Sequence, residues 1–249
     1  MEEFNIKYVG SKNRISKDLV PIIQECINEN DIHTYFEPFV GGANIIDKIK
    51  CDNCIGNDIN QHLIALLKAI QNGWNPLESV TMTKEFYDNV KNNKSKYSKK
   101  IVGLCGLCAT YNAKWFGGYA GIVHTKIDTY RNYYEESVNN ILKQKVDIQN
   151  VKFISTDYLT LDETKMKNWV IYCDPPYAGT TKYSTGGFEY DVFWQWVRDV
   201  SKNNFVFVSE YNAPKDFKCI WNKKLTTTLD KNSRNNSVEK LFVYKDIKS

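Results

Sequence analysis

The chain has 249 residues, of which 42% are hydrophobic, and it carries a formal net charge of +4 with a pI of about 8.5. This length and apolar content predict a substantial core, in one large α/β domain or in a core domain with an inserted subdomain. Because the sequence contains no run of about 20 apolar residues, no membrane span is expected. The mildly basic charge permits nucleic-acid binding without requiring it.

The cellular compartment is indicated by the N-terminus and the cysteines. The first five residues are acidic and lack the apolar stretch of a signal peptide. Seven cysteines, an odd number, fit a reducing environment. We therefore expect a soluble, cytoplasmic protein of a bacterial cell, with a phage or prophage as a further source of the gene.

The first third of the chain predicts alternating helices and strands. Apolar residues recur at helical spacing over residues 13–29, and a short strand follows at 34–37. The next predicted elements are a helix at 44–50 after a glycine turn, a strand at 54–58 and a helix at 60–71. This β-α-β-α order favours a parallel sheet.

The pattern changes after residue 73, where mostly helical segments continue to about residue 150. Beyond this point the predicted strands are 151–154, 169–173, 205–208, 225–229 and 240–244, and the predicted helix is 192–202. The last two strands are expected to form an antiparallel edge. The prediction is a doubly wound α/β mixed sheet built from residues 1–73 and 151–249, with 74–150 as an inserted helical subdomain. Ligands of such sheets bind at the carboxyl ends of the strands.

The most specific motif is Asp174-Pro175-Pro176-Tyr177, which directly follows the predicted strand at 169–173. Two consecutive prolines cannot continue a central strand, so the chain must leave the sheet there. The turn then presents a carboxylate, a main-chain carbonyl and an aromatic ring. Methylation of an amine on a base needs acceptors for two N–H groups and a flat surface for the ring. The alternative is a rigid turn without a ligand.

Other strand ends carry further candidates. The segment 36–42 (Phe-Glu-Pro-Phe-Val-Gly-Gly) lets the backbone approach a ligand closely, or is a plain turn, and it lacks the G-x-G-x-x-G pattern. Asp58 could bind both ribose hydroxyls of a nucleoside or cap a helix. Asp157 could contact an adenine or cap a helix. Lys12 could pair with the carboxylate of a bound amino-acid group.

Two cysteine pairs, Cys51 with Cys54 and Cys105 with Cys108, could in principle bind zinc. About 50 residues separate the pairs, rather than the roughly 15–20 of a compact zinc ribbon. The second pair also lies in an apolar run, where small residues pack well. Ordinary packing is expected, and no metal.

Together these motifs resemble the Dam-type, α-group DNA adenine methyltransferases over nearly the whole chain, from residues 7–12 through 37–42 and 58–60 to 174–177. The resemblance implies a class I methyltransferase (Rossmann-like) fold and S-adenosylmethionine as the methyl donor. The implied catalytic residues are Asp174, Pro175, Pro176 and Tyr177. The implied cofactor-binding residues are Tyr8, Lys12, Glu37, Pro38, Phe39, Gly41, Asp58, Ile59, Asp157, Tyr158 and Asp174.

The chain departs from this family at three places. Ala43 stands where a third glycine is common, and Asp191-Val192 stands where an Asp-His pair often begins a helix. The segment 110–117 resembles a shortened recognition hairpin, with Thr110 in place of an arginine, which puts a G-A-T-C target in doubt.

The expected partner is double-stranded DNA, bound by a monomer or weak dimer. The candidate DNA-binding residues are Asn112, Lys114, Trp115, Tyr119 and Arg131. The lysines of residues 84–100 are further candidates for phosphate contacts, or form only a solvated surface. The alternatives are a catalytically dead DNA-binding module with the same fold, and a methyltransferase acting on RNA or on protein glutamine. A nicotinamide-dependent oxidoreductase is disfavoured, because its glycine fingerprint is missing.

Overall fold

A computed structural model of the protein describes residues 12–111, 114–124, 129–176, 188–226 and 236–245. Its α-helices are α1 (Asn13–Glu29), α2 (Gln61–Gln71), α3 (Pro76–Ser79), α4 (Lys84–Asn92), α5 (Lys99–Gly103), α6 (Tyr133–Gln144) and α7 (Tyr190–Ser201). Its strands are β1 (Thr34–Glu37), β2 (Asn53–Asn57), β3 (Ile122–His124), β4 (Tyr130–Asn132), β5 (Val151–Ile154), β6 (Val170–Cys173), β7 (Phe205–Glu210), β8 (Phe217–Thr226) and β9 (Asn236–Tyr244).

Seven strands in the described part of the chain form one mixed sheet, in the order β5-β2-β1-β6-β7-β9-β8. The first five of these run parallel, whereas β9 runs antiparallel to both β7 and β8. This order, with a reversed strand next to the edge, is that of the class I methyltransferase fold. The predicted α/β fold class and the antiparallel edge are therefore confirmed.

Alternating side chains bury both faces of the sheet. In β6, Tyr172 joins one hydrophobic cluster, while its neighbours Ile171 and Cys173 join the other. The same alternation occurs in β1, where Tyr35 and Phe36 point to opposite faces. Every residue of β6 is buried, as expected for a central strand of a parallel sheet that is covered on both sides.

Helices on each face complete the three layers. α1 buries a stripe of apolar residues at four-residue spacing against the first cluster: Ile15, Leu19, Ile23 and Ile27. α2 and α6 contribute to the same cluster, whereas α7 buries Phe193, Trp196 and Val197 in the second. Among the described helices, none is both long enough and apolar enough to cross a membrane.

The predicted helix at 44–50 is wrong, because only a short 3-10 turn forms there, at Ile46–Lys48. The preceding loop adopts left-handed conformations, with φ of 47° at Gly41 and 56° at Ala43, and Ile49 is already extended. This backbone path leaves too little chain for an α-helix. Ala43 holds a conformation that glycine adopts at lower cost.

Two other differences concern strands. β8 begins at Phe217, well before the predicted strand at 225–229, and residues 227–229 of that prediction lie outside the described part. Three consecutive residues near its start, 218–220, are exposed, so this edge strand lacks a clear alternating pattern. The β3–β4 hairpin was not predicted, because each strand has only three residues.

The predicted insert at residues 74–150 contains α3 to α6 and the β3–β4 hairpin. α6 shares the hydrophobic cluster of α1 and α2, and its last residue, Gln144, donates hydrogen bonds to the carbonyls of Gly42 and Ala43 at 3.1 and 2.9 Å. The division into a catalytic domain and an insert stays a prediction.

The cysteine pairs lie in different surroundings. Cys105 and Cys108 are buried in the hydrophobic core, within a π-helical turn that extends α5. Cys51 and Cys54 lie at the start of β2, where burial raises the pKa of the Cys54 thiol to about 12. Burial likewise raises the pKa of Cys108 to about 12, as expected for a packing role. No described group of three or more His, Cys, Asp or Glu side chains is arranged to hold a metal.

Candidate active site

The carboxyl ends of β1, β2, β5 and β6 meet at one edge of the sheet, and the predicted site residues lie there. Asn57, the last residue of β2, links the ends of β1, β2 and β5 through hydrogen bonds. Its side-chain amide donates to the carbonyls of Pro38 and Thr156 at 3.0 and 3.1 Å, and its Oδ1 accepts from the Thr156 amide at 3.1 Å. Asn57 is buried, so these bonds satisfy a polar group that would otherwise be costly. The sequence analysis did not identify this residue.

Asp58, directly after Asn57, is hydrogen-bonded to the glycine loop that follows β1. Its Oδ2 accepts the Gly41 amide at 3.1 Å, and its Oδ1 accepts the Asn60 amide at 2.8 Å. Asn60, and not Asp58, caps α2, because its side chain accepts from the amides of His62 and Leu63. Burial raises the pKa of Asp58 to about 6, although the two backbone donors partly oppose this. Each carboxylate oxygen retains acceptor capacity beyond its one backbone bond.

Glu37 ends β1 and is buried beneath the loop. The Tyr35 hydroxyl donates to its Oε1 at 2.7 Å. Burial holds the pKa of Glu37 well above its usual range, with the Tyr35 hydrogen bond opposing this shift and the nearby Asp47 and Asp174 carboxylates adding to it. Glu37 and Asp174 are therefore electrostatic neighbours, as their positions on adjacent strands require.

Asp174 follows the last residue of β6 and forms an ion pair with Lys12. The distance from Lys12 Nζ to Asp174 Oδ1 is 3.0 Å, and a second carboxylate, Glu239 Oε2, lies 3.5 Å from the same ammonium. Burial alone would lower the pKa of Lys12, but the two carboxylates outweigh burial and raise it. The structure thus places Lys12 beside the predicted catalytic carboxylate. Glu239, on β9, was not predicted.

The turn after Asp174 is held from the start of α7. The Tyr190 hydroxyl donates to the Pro176 carbonyl at 2.9 Å, and the Tyr190 ring packs edge-on against Phe188, with 5.1 Å between ring centroids. Pro175 is buried. Sequence analysis noted only Asp191 and the following residue at this helix start, and it missed Tyr190.

An aromatic cluster supports the loops after β1 and β5. The Phe39 ring lies 5.0 Å from that of Tyr158 and 5.8 Å from those of Phe188 and Phe193. Asp157 caps the 3-10 turn that follows β5, since its Oδ1 accepts the Leu159 amide at 3.0 Å. The capping alternative for Asp157 is therefore confirmed, and a contact with adenine stays a prediction.

Two apolar side chains at this edge are open to solvent. Ile59, in the loop after β2, is 55% exposed, and Leu159, in the loop after β5, is 47% exposed. The polar loop residues around them carry hydrogen bonds within the fold, so these aliphatic groups form an unburied apolar surface beside Asp58. Such a surface suits the flat face of a bound ring.

The predicted DNA-binding segment lies beside the start of α2. The Trp115 ring stacks on His62, with centroids 5.7 Å apart and an angle of 25°. Lys94 Nζ lies 4.9 Å from the centroid of the Phe116 ring. Burial lowers the pKa of His62, and the charges of Lys99 and Lys94 lower it further. Aromatic rings and lysines are thus gathered near the carboxyl edge of the sheet.

Other predicted DNA-binding residues make internal contacts. The Tyr119 hydroxyl donates to the Met82 carbonyl at 3.2 Å, within the predicted insert. Arg131 forms a two-bonded ion pair with Glu136, at 2.6 and 2.7 Å, so a phosphate would have to share its guanidinium. Lys114 is exposed, and its carbonyl accepts the Thr110 hydroxyl at 2.9 Å. Thr110, which replaces the arginine usual in the family, therefore closes this turn.

Three predicted site residues lie outside the described part of the chain: Tyr8 of the cofactor set, Asn112 of the DNA-binding set, and Tyr177 of the catalytic motif. Of the described residues in these sets, Lys12 and Asp174 are in direct contact at the carboxyl edge, whereas Tyr119 and Arg131 make contacts within the predicted insert.

Comparison with known proteins finds similar methyltransferases. The type II methyltransferase M.MjaIII of Methanocaldococcus jannaschii is 27% identical over 207 residues, covering 72% of this chain and 71% of that protein. The type II methyltransferase M.FokI of Planomicrobium okeanokoites is 22% identical over 198 residues, and the match covers 73% of this chain but only 30% of that longer protein. The crystal structure of SMU.472 complexed with SAH aligns with 85% of this chain and 47% of its own, at 11% identity and a TM-score of 0.34, which is too distant to support an argument.

Residues 8–195 match the family of D12 class N6 adenine-specific DNA methyltransferases, and this match includes the Asp58 loop, the predicted recognition segment and the Asp174 turn. The matched region is most of the 249-residue chain. The chain therefore belongs to the D12 class of N6 adenine-specific DNA methyltransferases.

Proposed function

We propose that this enzyme transfers the methyl group of S-adenosylmethionine to the N6 amine of adenine in double-stranded DNA, with Asp174 as the residue that contacts the amine. The observation that carries this proposal is the position of Asp174. Its carboxylate stands at the carboxyl end of the central strand β6, in an ion pair with Lys12 and directly before the Pro175–Pro176 turn.

The charges at the carboxyl edge fit the proposed donor. When bound, S-adenosylmethionine supplies a methyl group on a positively charged sulfonium. At the described edge, the carboxylates of Asp174 and Glu239 share the ammonium of Lys12, and Asp58 follows the end of β2 at the same edge. This excess of negative charge favours a cationic ligand. The free acceptor capacity of Asp58 suits two ribose hydroxyls, and exposed Ile59 suits the adenine face.

Asp174 and the Pro175 carbonyl would act on the target amine. The lone pair of an exocyclic amine is delocalised into the base, which makes the nitrogen a poor nucleophile. Hydrogen bonds from its two N–H groups to Asp174 and the Pro175 carbonyl would draw the nitrogen towards tetrahedral geometry and free its lone pair. The new N–CH3 bond would form as the S–CH3 bond of the sulfonium breaks and leaves a neutral thioether. The nitrogen would then lose one proton, which Asp174 is placed to accept. The catalysis is positioning and placed acceptors, without a covalent enzyme intermediate.

The target base must leave the duplex to reach this turn. Extrusion of a base costs a few kcal/mol, and stacking on an aromatic ring recovers about 1–3 kcal/mol. We assign this stacking to Tyr177, on the evidence of the motif alone. The names of its relatives as type II methyltransferases favour modification at a defined DNA sequence, as the partner of a restriction enzyme.

The test is methyl transfer from a labelled donor to unmethylated genomic DNA, with the products identified as nucleosides. We expect N6-methyladenine from the native chain and a rate at least about a hundredfold lower for Asp174→Ala, as for loss of a transition-state hydrogen bond. Asp162→Ala, which removes an exposed carboxylate that caps a distant turn, is the control and should keep the native rate. Binding of the donor without turnover would contradict the proposal. Parallel reactions with RNA and with protein as acceptors complete the test, and label that appears only in these would also contradict it.

A further inference from the structure

Glu239 belongs to β9, beyond the residues that match the methyltransferase family, and none of the sequence motifs includes it. It is nevertheless buried, with 7% of its surface exposed, at the carboxyl edge of the sheet. A buried carboxylate is retained in a fold only when it is paired or strongly hydrogen-bonded. Its contacts therefore indicate what it does.

Within the described part of the chain, Glu239 forms an ion pair with Lys12, at 3.5 Å between Nζ and Oε2. Lys223, directly opposite Glu239 in the β8–β9 register, forms an ion pair with Asp18 of α1 at 2.7 Å. Lys12 is buried to the same degree as Glu239 and also contacts Asp174. One ammonium is thus shared between the catalytic turn and a strand on the far side of β7.

This sharing has an electrostatic consequence for Asp174. A carboxylate in an exclusive pair with lysine is largely neutralised and is a weaker acceptor for a further hydrogen bond. A second carboxylate on the same ammonium leaves the trio with a net negative charge, and it also fixes where the ammonium lies. Asp174 then keeps both its orientation and its capacity to accept from an amine.

We propose that Glu239 is a positioning residue for methyl transfer, which acts by holding Lys12 between its own carboxylate and that of Asp174. The inference rests on the proposed role of Asp174. Glu239 itself contacts neither base nor donor in this mechanism. Its removal should let Lys12 move onto Asp174 and slow the chemical step, while the binding of DNA stays as in the native protein.

The pH dependence of the rate gives a readout that a purely structural role would not change. Among the described residues, the carboxylates of Asp174 and Glu239 face Lys12, and Glu37, Tyr172 and Cys173 lie near Asp174. Because both carboxylates raise the pKa of Lys12, loss of one charge lowers the pH at which Lys12 loses its proton. Since the ammonium holds Asp174 in its orientation, kcat should fall at alkaline pH when Lys12 loses its proton. In Glu239→Gln this fall should occur at lower pH than in the native protein.

The experiment measures kcat, the KM for DNA and the alkaline pH limit for Glu239→Gln and Glu239→Asp. Glu239→Gln should lower kcat about ten- to a hundredfold, leave the KM for DNA unchanged and shift the pH limit downwards. Glu239→Asp keeps the charge on a shorter side chain, so it should restore the native pH limit while kcat stays reduced.

Asp216→Asn is the matched control, because it removes one carboxylate from the Arg198–Asp216 ion pair, at 2.6 Å, just before β8. It should leave kcat and the pH limit unchanged. Thermal unfolding identifies any variant that fails to fold. If Glu239→Gln does not fold, the kcat of Glu239→Asp tests the inference in its place. Native kcat and native pH limits in every folded Glu239 variant would overturn the inference. Asp174→Ala, measured in parallel, tests the proposed function separately. An active Asp174→Ala enzyme would reject that function. Glu239 variants with native rates, together with an inactive Asp174→Ala enzyme, would reject only this inference.

Discussion

At the scale of single residues, Asp58 connects the fold to the proposed donor site. Its two oxygens hold the amides of Gly41 and Asn60, so the carboxylate shapes the glycine loop before any ligand binds. The burial that strengthens these two hydrogen bonds also disfavours the ionised form of the Asp58 carboxyl group. Asp58 therefore changes its charge in a pH range where DNA methylation can be measured, with a pKa raised to about 6.

We expect the affinity for S-adenosylmethionine to depend on the protonation of Asp58. An ionised carboxylate accepts hydroxyl donors more strongly than a protonated one, so affinity should be constant above neutral pH and fall as the pH drops through 6. Between about pH 7.5 and pH 5 the loss should be about tenfold. Titration calorimetry over this range measures it.

The control for this titration is Asp58→Asn, in which the dependence on pH should disappear. Its affinity should be weaker by about 1.5–3 kcal/mol, the range for a hydrogen bond to a charged group. A native affinity that stays level down to pH 5, or an Asp58→Asn affinity that falls like the native one, would reject the proposed contact with the ribose.

Residues within a contiguous motif were predictable from the sequence, whereas residues that act across the fold were not. Asp174 stands beside two prolines after an apolar strand, and Asp58 follows a strand end, so each has a local signal. Asn57, Tyr190 and Glu239 lack such a signal, because their partners come from other strands or helices. For Asn57, the one indication in the sequence was a polar residue near the end of a predicted strand.

At the scale of elements, long and strongly periodic segments were predicted well. α1 has the predicted bounds, and β1 and β5 agree with their predicted strands to the residue. The loop after β1 was predicted as a helix, because its apolar residues have helical spacing. Tertiary contacts decide otherwise: Gln144 of α6 and Asp58 hold the loop backbone in a left-handed path that the pattern of side chains does not encode.

The first turn of α7 is expected to set the geometry of the turn that carries Asp174. Tyr190→Phe removes only the hydroxyl that donates to the Pro176 carbonyl and keeps the ring against Phe188. The turn that carries Asp174 loses one of its supports, so the single-turnover rate should fall about tenfold, with donor and DNA affinities nearly unchanged.

Tyr134→Phe is the matched control for this prediction. The Tyr134 hydroxyl is buried and makes no hydrogen bond within the described residues. Its removal should therefore leave the rate unchanged and the free energy of unfolding equal or higher. Equal rates for the native chain and Tyr190→Phe would show that the turn keeps its geometry without this bond.

At the scale of the whole molecule, the sheet separates two edges with different surroundings. The carboxyl edge holds the acidic site residues, and the start of α2 brings His62, Trp115 and nearby lysines to the same side. The amino edge holds the Cys51–Cys54 segment and the starts of the parallel strands. The sequence predicted the lysine-rich segment but not its location, because the location depends on how α5 packs against α2 and how α4 packs against α5.

This arrangement predicts which lysines contact DNA phosphates. Lys94, Lys96 and Lys99 are exposed, and the charges of Lys94 and Lys99 already reach His62 beside the site. Each phosphate contact that is lost should reduce the slope of log affinity against log salt concentration by about 0.9, so the triple alanine variant should lose up to about three units. The control variant replaces Lys152, Lys167 and Lys218, which are exposed towards the amino edge, and it has the same change in net charge.

Affinity for a short duplex, measured by fluorescence anisotropy at several salt concentrations, separates the two variants. Equal slopes for both would mean that residues 94–99 form only a solvated surface and that DNA approaches the site from another side.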